Sequence, residues 1–194
     1  MTIICIGSAG CRESAESWNK KAYKAFIAGE RDEAIRCCTK ALAQDQDNEW
    51  AHYSLGWIYK LDGRTDEAIE EFKKAIVINP NLGGAHNRLG ELYFEKGMLD
   101  DAIAEFSKVV SNQPDSATAD YFLGIAYARK GDLSSAADHL FEAGLLALIY
   151  DEKSVAFDAY NSLKKMDNQQ LAMELYEVLS PWFDPAPAVV IHSD

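Results

Sequence analysis

Residues 55–75 read Leu-Gly-Trp-Ile-Tyr-Lys-Leu-Asp-Gly-Arg-Thr-Asp-Glu-Ala-Ile-Glu-Glu-Phe-Lys-Lys-Ala, and a related string returns one 34-residue step later as residues 89–109. The same step separates four glycines, Gly29, Gly63, Gly97 and Gly131, and four alanines, Ala34, Ala68, Ala102 and Ala136. A fixed period of this size predicts an array of helix-turn-helix units. Because such an array exposes a long surface and encloses no pocket, it favours a protein that holds another chain.

Each position of the repeated string has a physical role. Leucine and tyrosine at 55 and 59 fall on one face of a first helix. Gly63 suits the end of that helix because glycine adopts positive φ without strain. Gly56 and Ala68 are small enough to mark the contact between the two helices of one unit. Three residues after each periodic glycine stands a residue suited to cap the second helix: Asp32, Asp66, Asp100 and Ser134.

With these positions in place, the sequence resembles the tetratricopeptide repeat family. The residues at its pattern positions are Leu55, Gly56, Tyr59, Ala68, Phe72, Ala75 and Pro80. The resemblance covers residues 15–150 as repeat 1 (15–48), repeat 2 (49–82), repeat 3 (83–116) and repeat 4 (117–150). It implies an all-α fold, a right-handed α-solenoid. Repeat 1 departs from the pattern, with Lys21, Ala22 and Ala25 at the leucine, glycine and tyrosine positions. Repeat 4 has Leu148 in place of the closing proline, which predicts a longer second helix.

The chain changes character on both sides of the repeats. Residues 151–180 keep helical spacing without the register, which predicts a degenerate helical pair that caps the array. Residues 181–194 contain three prolines and are predicted to be extended. Their apolar run 188–191 is expected to dock either on its own array or on a neighbouring copy. At the other end, the small residues before Cys11 in segment 1–14 resemble a bacterial lipoprotein processing site, which implies that Cys11 carries a lipid. The start lacks a basic residue, so an unmodified, frayed N-terminus is the alternative.

The resemblance also implies where a partner binds, because the ligand-contacting positions of the family lie on the first helices and line the concave face. Carried over residue by residue, they predict a groove formed by Tyr23, Phe26, Trp50, Tyr53, Trp57, Lys60, Asn87, Arg88, Glu91, Phe94, Tyr121, Ile125 and Arg129. Tyr, Trp and Arg often carry binding energy at interfaces. Packing against the adjoining repeat is the alternative for Trp57, Phe94 and Ile125. The carboxylate clamp of the family is not predicted, because only Arg88 of its five positions keeps the required residue.

Composition narrows the classes of function. The chain has 31 acidic and 19 basic residues, for a net charge of -12, which disfavours nucleic acid and anionic membranes as partners. No apolar stretch approaches the roughly 20 residues of a membrane span. His52, His86 and Asp120 share one position in successive repeats, but neighbouring repeats lie on the order of 10 Å apart. These residues are therefore interpreted as a polar packing column and not as ligands of one metal ion.

No catalytic motif occurs in the sequence, so we expect no enzyme activity, no cofactor and no metal. The leading hypothesis is a cytoplasmic scaffold that binds a protein or peptide in the groove of the array. One alternative is a membrane-anchored envelope lipoprotein that assists assembly of a pilus or secretion complex. The other is a self-assembling module that associates through its C-terminal tail.

Overall fold

The computed structural model describes residues 13–166 and 168–183. Within these ranges there are ten helices and no strand: α1 (Ala15–Ile27), α2 (Arg31–Leu42), α3 (Glu49–Leu61), α4 (Thr65–Ile78), α5 (Gly83–Glu95), α6 (Leu99–Asn112), α7 (Ala117–Lys130), α8 (Leu133–Ile149), α9 (Lys153–Lys165) and α10 (Gln169–Phe183). Each predicted repeat contains one helix pair, and each first helix begins at the first residue of its repeat. The prediction of an all-α solenoid fold built from helix-turn-helix repeats is confirmed.

The chain forms two compact units, unit 1 (Met1–Ala85) and unit 2 (His86–Asp194), and the boundary falls inside α5. In unit 1, Cys37, Cys38, Ala51 and Leu55 belong to one buried cluster. Both cysteines are free, and burial raises the pKa of the Cys38 thiol to about 12. In unit 2, helices α8, α9 and α10 bury a cluster that includes Leu140, Leu146, Leu163, Leu175 and Leu179.

The small residues of each repeat make room for a large one. The periodic alanines Ala34, Ala68, Ala102 and Ala136 are completely buried. A Cβ atom placed on Gly56 would lie 2.8 Å from Cδ1 of Phe72, and one on Gly90 would lie 2.7 Å from Cε1 of Phe106. The glycine therefore leaves space for the phenylalanine that lies four residues after the alanine. The sequence predicted a contact between Gly56 and Ala68, whereas the residue that packs against Gly56 is Phe72.

The turn inside each repeat is shorter than the sequence suggested. All four periodic glycines have positive φ, between 73° and 93°. The residue after each glycine donates its N–H to a carbonyl five residues earlier, as Arg64 does to Tyr59 at 2.9 Å. The second helix begins immediately afterwards, at Thr65 in repeat 2. The predicted capping role of Asp32, Asp66, Asp100 and Ser134 is therefore wrong. These residues lie in the first turn of the second helix. There the three carboxylates interact favourably with the positive end of the helix dipole.

The C-terminal helices extend the predicted boundaries. Helix α8 is 17 residues long, against 14 for α4 and α6, which confirms the expected lengthening. Helix α10 continues through Pro181 to Phe183, so residues 181–183 are helical and not part of an extended tail. A proline here lacks the N–H that would bond the Glu177 carbonyl, and the Ser180 hydroxyl donates to that oxygen instead, at 3.0 Å. The rest of the predicted tail and Cys11 lie outside the described residues.

Candidate functional site

Helices α1 and α3 pack side by side in unit 1 and share an exposed face rich in aromatic residues. On α1 the residues at 19, 23, 26 and 27 recur at helical spacing, as do those at 50, 53, 54 and 57 on α3. We define the aromatic face as Tyr23, Phe26, Ile27, Trp50, Tyr53 and Trp57.

Two adjoining hollows lie on the aromatic face. The smaller, of about 220 Å³, is lined by Ala22, Tyr23, Phe26, Tyr53, Ser54, Trp57 and Ile58. The larger, of about 590 Å³, is lined by Glu16, Asn19, Lys20, Tyr23, Lys24, Ile27, Trp50 and Ser54. Tyr23 and Ser54 line both hollows, so the two form one continuous surface across α1 and α3.

The side chains of this face differ in how firmly the protein holds them. Tyr23 and Ile27 are each 66% exposed and Trp50 is 55% exposed. Tyr53 is half-buried, with its ring 6.4 Å from that of Trp50 and 5.7 Å from that of the fully buried Phe72. Tyr53 thus connects the face to the core. The contacts of Tyr53 hold the exposed Trp50 against a fixed neighbour.

The predicted site residues on α5 and α7 lie in unit 2, and several of them contact one another. The Arg129 guanidinium lies 4.9 Å from the centre of the Phe94 ring and donates a hydrogen bond to the Phe94 carbonyl at 3.2 Å. Arg88 forms an ion pair with Glu91 at 2.6 Å. Phe94, the aromatic member of this group, is therefore covered by a side chain of its own unit.

Tyr121 and Ile125 pack against the buried cluster of unit 2. Burial raises the pKa of the Tyr121 phenol, even though a hydrogen bond with Ser162 works in the opposite direction. The Oδ1 atom of Asn87 is buried and has no hydrogen-bond partner among the described residues. Lys60, in unit 1, lies 5.7 Å from the centre of the Trp57 ring. The prediction that all these residues bind a partner stays a prediction, and the exposed aromatic residues among them are Tyr23 and Trp50.

The predicted polar column takes the form of one histidine–carboxylate pair in each of three repeats. His52 Nδ1 lies 2.6 Å from Glu71 Oε2, and His86 Nδ1 lies 2.5 Å from Glu105 Oε2. In repeat 4 the two residue types change places, with His139 Nδ1 2.8 Å from Asp120 Oδ1. Each pair joins the first and second helix of its repeat across 19 residues of sequence. Among the residues that the structure describes, no group of three or more His, Cys, Asp or Glu side chains could hold a metal ion.

One of these pairs predicts a pH dependence of stability. Burial works to raise the pKa of Glu105, but hydrogen bonds from His86 and Lys108, together with the Lys108 charge, hold it below its usual value. A carboxyl whose pKa is lower in the folded state stabilises the fold above its unfolded pKa, and this contribution is lost as the pH falls through the folded pKa. We expect the free energy of unfolding to decrease as the pH is lowered below about 4, and Glu105→Gln to flatten that decrease.

Urea unfolding of unmodified protein and Glu105→Gln at a series of pH values measures this difference. Glu142→Gln, at an exposed position on α8, is the matched control and should keep the full dependence. Parallel pH profiles for the unmodified protein and Glu105→Gln would contradict the role of this pair.

Comparison with family models identifies the class of protein. A model described as TPR repeat matches residues 58–97, and two described as tetratricopeptide repeat match residues 85–152 and 37–70. The chain belongs to the tetratricopeptide repeat family. It is a helical-repeat protein of the kind that serves as a protein-interaction scaffold.

Solved structures with similar folds include other repeat proteins. A crystal structure of MamA protein is 24% identical, with a TM-score of 0.65, over 90% of this chain and 97% of that one. MamA from residue 41 to the end, from Desulfovibrio magneticus RS-1, is 19% identical, with a TM-score of 0.63, over 83% and 98%. The first TPR of Spaghetti (RPAP3), bound to the HSP90 peptide SRMEEVD, is 24% identical, with a TM-score of 0.58, over 61% and 96%. At these identities the likeness shows the fold alone.

No curated protein is significantly similar in sequence to the chain. Among the described helices, none has both the length and the apolar character that crossing a bilayer requires.

Proposed function

We propose that the protein is an interaction scaffold that binds a peptide segment of its partner on the aromatic face of unit 1. The observation that carries this proposal is the pair of adjoining hollows that share Tyr23, beside the exposed ring of Trp50. Clusters of exposed large apolar side chains on a soluble protein mark interaction sites. Tyrosine and tryptophan are also the residue types most often found to dominate binding energy.

The aromatic face also favours binding because its framework is rigid. Its side chains come from two packed helices, and Tyr53 contacts the buried Phe72. A partner that covers this face immobilises few additional protein groups, which reduces the entropic cost of association. The predicted site residues on α5 and α7 offer less, because Arg129 covers Phe94 and because Tyr121 and Ile125 pack against the core. The geometry therefore favours α1 and α3 over α5 and α7 as the binding surface.

Fluorine NMR with 5-fluorotryptophan tests this location. A peptide selected from a random displayed library on the intact protein is titrated into labelled protein, whose resonances are assigned by Trp→Phe variants. We expect the Trp50 and Trp57 resonances to shift or broaden and the Trp18 resonance to stay unchanged. Trp18 is a suitable internal control because it is not part of the aromatic face and lies between Lys21 and Lys40, whose ammonium groups are 4.5 and 4.2 Å from its ring centre. A response confined to Trp18, or failure to select any peptide, would count against the proposal.

A further inference from the structure

We propose that the partner segment on the aromatic face carries acidic side chains that alternate with apolar ones. This inference rests on the proposed function and adds the chemistry of the partner. It starts from the charged groups of the larger hollow, which are Glu16, Lys20 and Lys24, all on α1. Lysines therefore outnumber acids at this site, in a chain whose net charge is -12.

Glu16 is the only acidic residue that lines the hollow, and it pairs with one of the two lysines. Glu16 Oε1 forms an ion pair with Lys20 Nζ at 2.7 Å, and both side chains are more than two-thirds exposed. An ion pair this exposed contributes little to stability, so Lys20 can exchange Glu16 for another carboxylate at small cost. Lys24 is exposed and lines the same hollow. Both ammonium groups are accordingly accessible to the side chains of a bound segment.

The spacing of these groups suits an extended peptide. Glu16, Lys20 and Lys24 follow one another at four-residue steps along α1, and Asn19, Tyr23 and Ile27 form the neighbouring row. Four residues of helix advance about 6 Å, close to the roughly 6.6 Å between alternate side chains of an extended strand. A segment lying along the two rows can direct its alternate side chains to Lys20 and Lys24 and the others to Tyr23, Ile27 and Trp50.

The local charge and the total charge of the chain favour opposite partners. The net negative charge attracts basic partners at long range. Salt at physiological strength screens charges beyond about 8 Å, whereas the two lysines line the hollow itself. The charges of these two lysines therefore determine which segment binds more tightly. An acidic segment is preferred to a basic one.

Fluorescence anisotropy with two matched peptides tests this inference. One is a fluorescein-labelled octapeptide in which Asp alternates with Leu and Trp, and the other has Lys in place of each Asp. We expect the acidic peptide to bind on the order of tenfold more tightly at 50 mM salt, and this advantage to shrink at 300 mM salt. Lys20→Glu with Lys24→Glu should remove or reverse the preference.

The control variant Arg36→Glu with Lys73→Glu makes the same change in net charge at exposed positions on α2 and α4, and it should keep the preference. Far-ultraviolet circular dichroism checks that every variant is folded. Equal or tighter binding of the basic peptide, a preference unaffected by the Lys20 and Lys24 substitutions, or no binding of either peptide would overturn the inference.

If Tyr23→Ala with Trp50→Ala leaves the binding of both peptides unchanged, the proposed function itself is contradicted. If this variant binds neither peptide, and the unmodified protein binds the two peptides equally well, the inference is overturned but the proposed function is retained.

Discussion

Gly90→Ala is expected to lower the free energy of unfolding by about 1–3 kcal/mol, the usual cost of forcing an extra carbon into a packed core. The added Cβ would lie 2.7 Å from Cε1 of Phe106. Phe106 is completely buried and stacks on Phe122 with 5.4 Å between ring centres, so its ring has little room to move. The clash outweighs the gain of up to about 1 kcal/mol in helix propensity that alanine brings. Urea or thermal unfolding measured by circular dichroism gives the difference.

Gly84→Ala, in the same helix, is the matched control for this prediction. Gly84 is exposed, and the atom nearest to an added Cβ is the Tyr53 hydroxyl oxygen, 3.2 Å away at the tip of a side chain. We expect this variant to be as stable as the unmodified protein or slightly more stable, since the propensity gain meets little steric resistance. Equal stability of the Gly90 and Gly84 variants would show that α5 does not approach Phe106 as closely as the structure has it.

The repeat period was enough to predict the fold, because it reflects packing that recurs in every repeat. Gly63 and Gly97 end their helices with positive φ, and Ala68 and Ala102 are fully buried, as their positions required. The capping residues could not be placed in the same way. The turn closes through a hydrogen bond such as that from Arg64 N–H to the Tyr59 carbonyl, which leaves no residue between turn and helix. Turn geometry of this kind cannot be inferred from residue spacing alone.

The histidine–carboxylate pairs were partly visible in the sequence. The 34-residue period that relates His52 to His86 also relates Glu71 to Glu105, so extending the alignment to the second helices would have shown the partners. The exchange of residue types at Asp120 and His139 supports the same pairing. The predicted column comprises first-helix residues only, and the partners lie on the second helices.

The candidate site was predicted less completely than the fold. Position within the repeat selects first-helix residues, but it does not show which of them other side chains cover. Phe94 is covered by Arg129, which is 35 residues away in sequence. Tyr121 packs against a cluster that includes residues of α9, outside the regular repeats. These contacts involve residues that do not follow the repeat period, so they could be found only from the structure.

The loss of Tyr23 and Trp50 together is expected to weaken binding of a library-selected peptide by at least about 30-fold. A single dominant interface residue contributes about 2 kcal/mol or more, which corresponds to that factor. The two side chains are largely exposed, so alanine at these positions removes binding surface and leaves the core unchanged. Tyr53 is a less suitable choice, because it contacts the buried Phe72 and its loss would also disturb packing.

Isothermal titration calorimetry with one selected peptide tests the central claim most directly, by comparing the unmodified protein, Tyr23→Ala with Trp50→Ala, and Val77→Ala. Val77 lies on α4, outside the aromatic face, and is 80% exposed, so its variant controls for loss of exposed apolar surface. We expect Val77→Ala to keep the Kd of the unmodified protein within about twofold, since isolated surface substitutions have small effects. The aromatic double variant should lose at least about 30-fold in affinity with an unchanged helical spectrum. Equal affinities of the folded double variant and the Val77 variant would contradict the assignment of the binding site to the aromatic face.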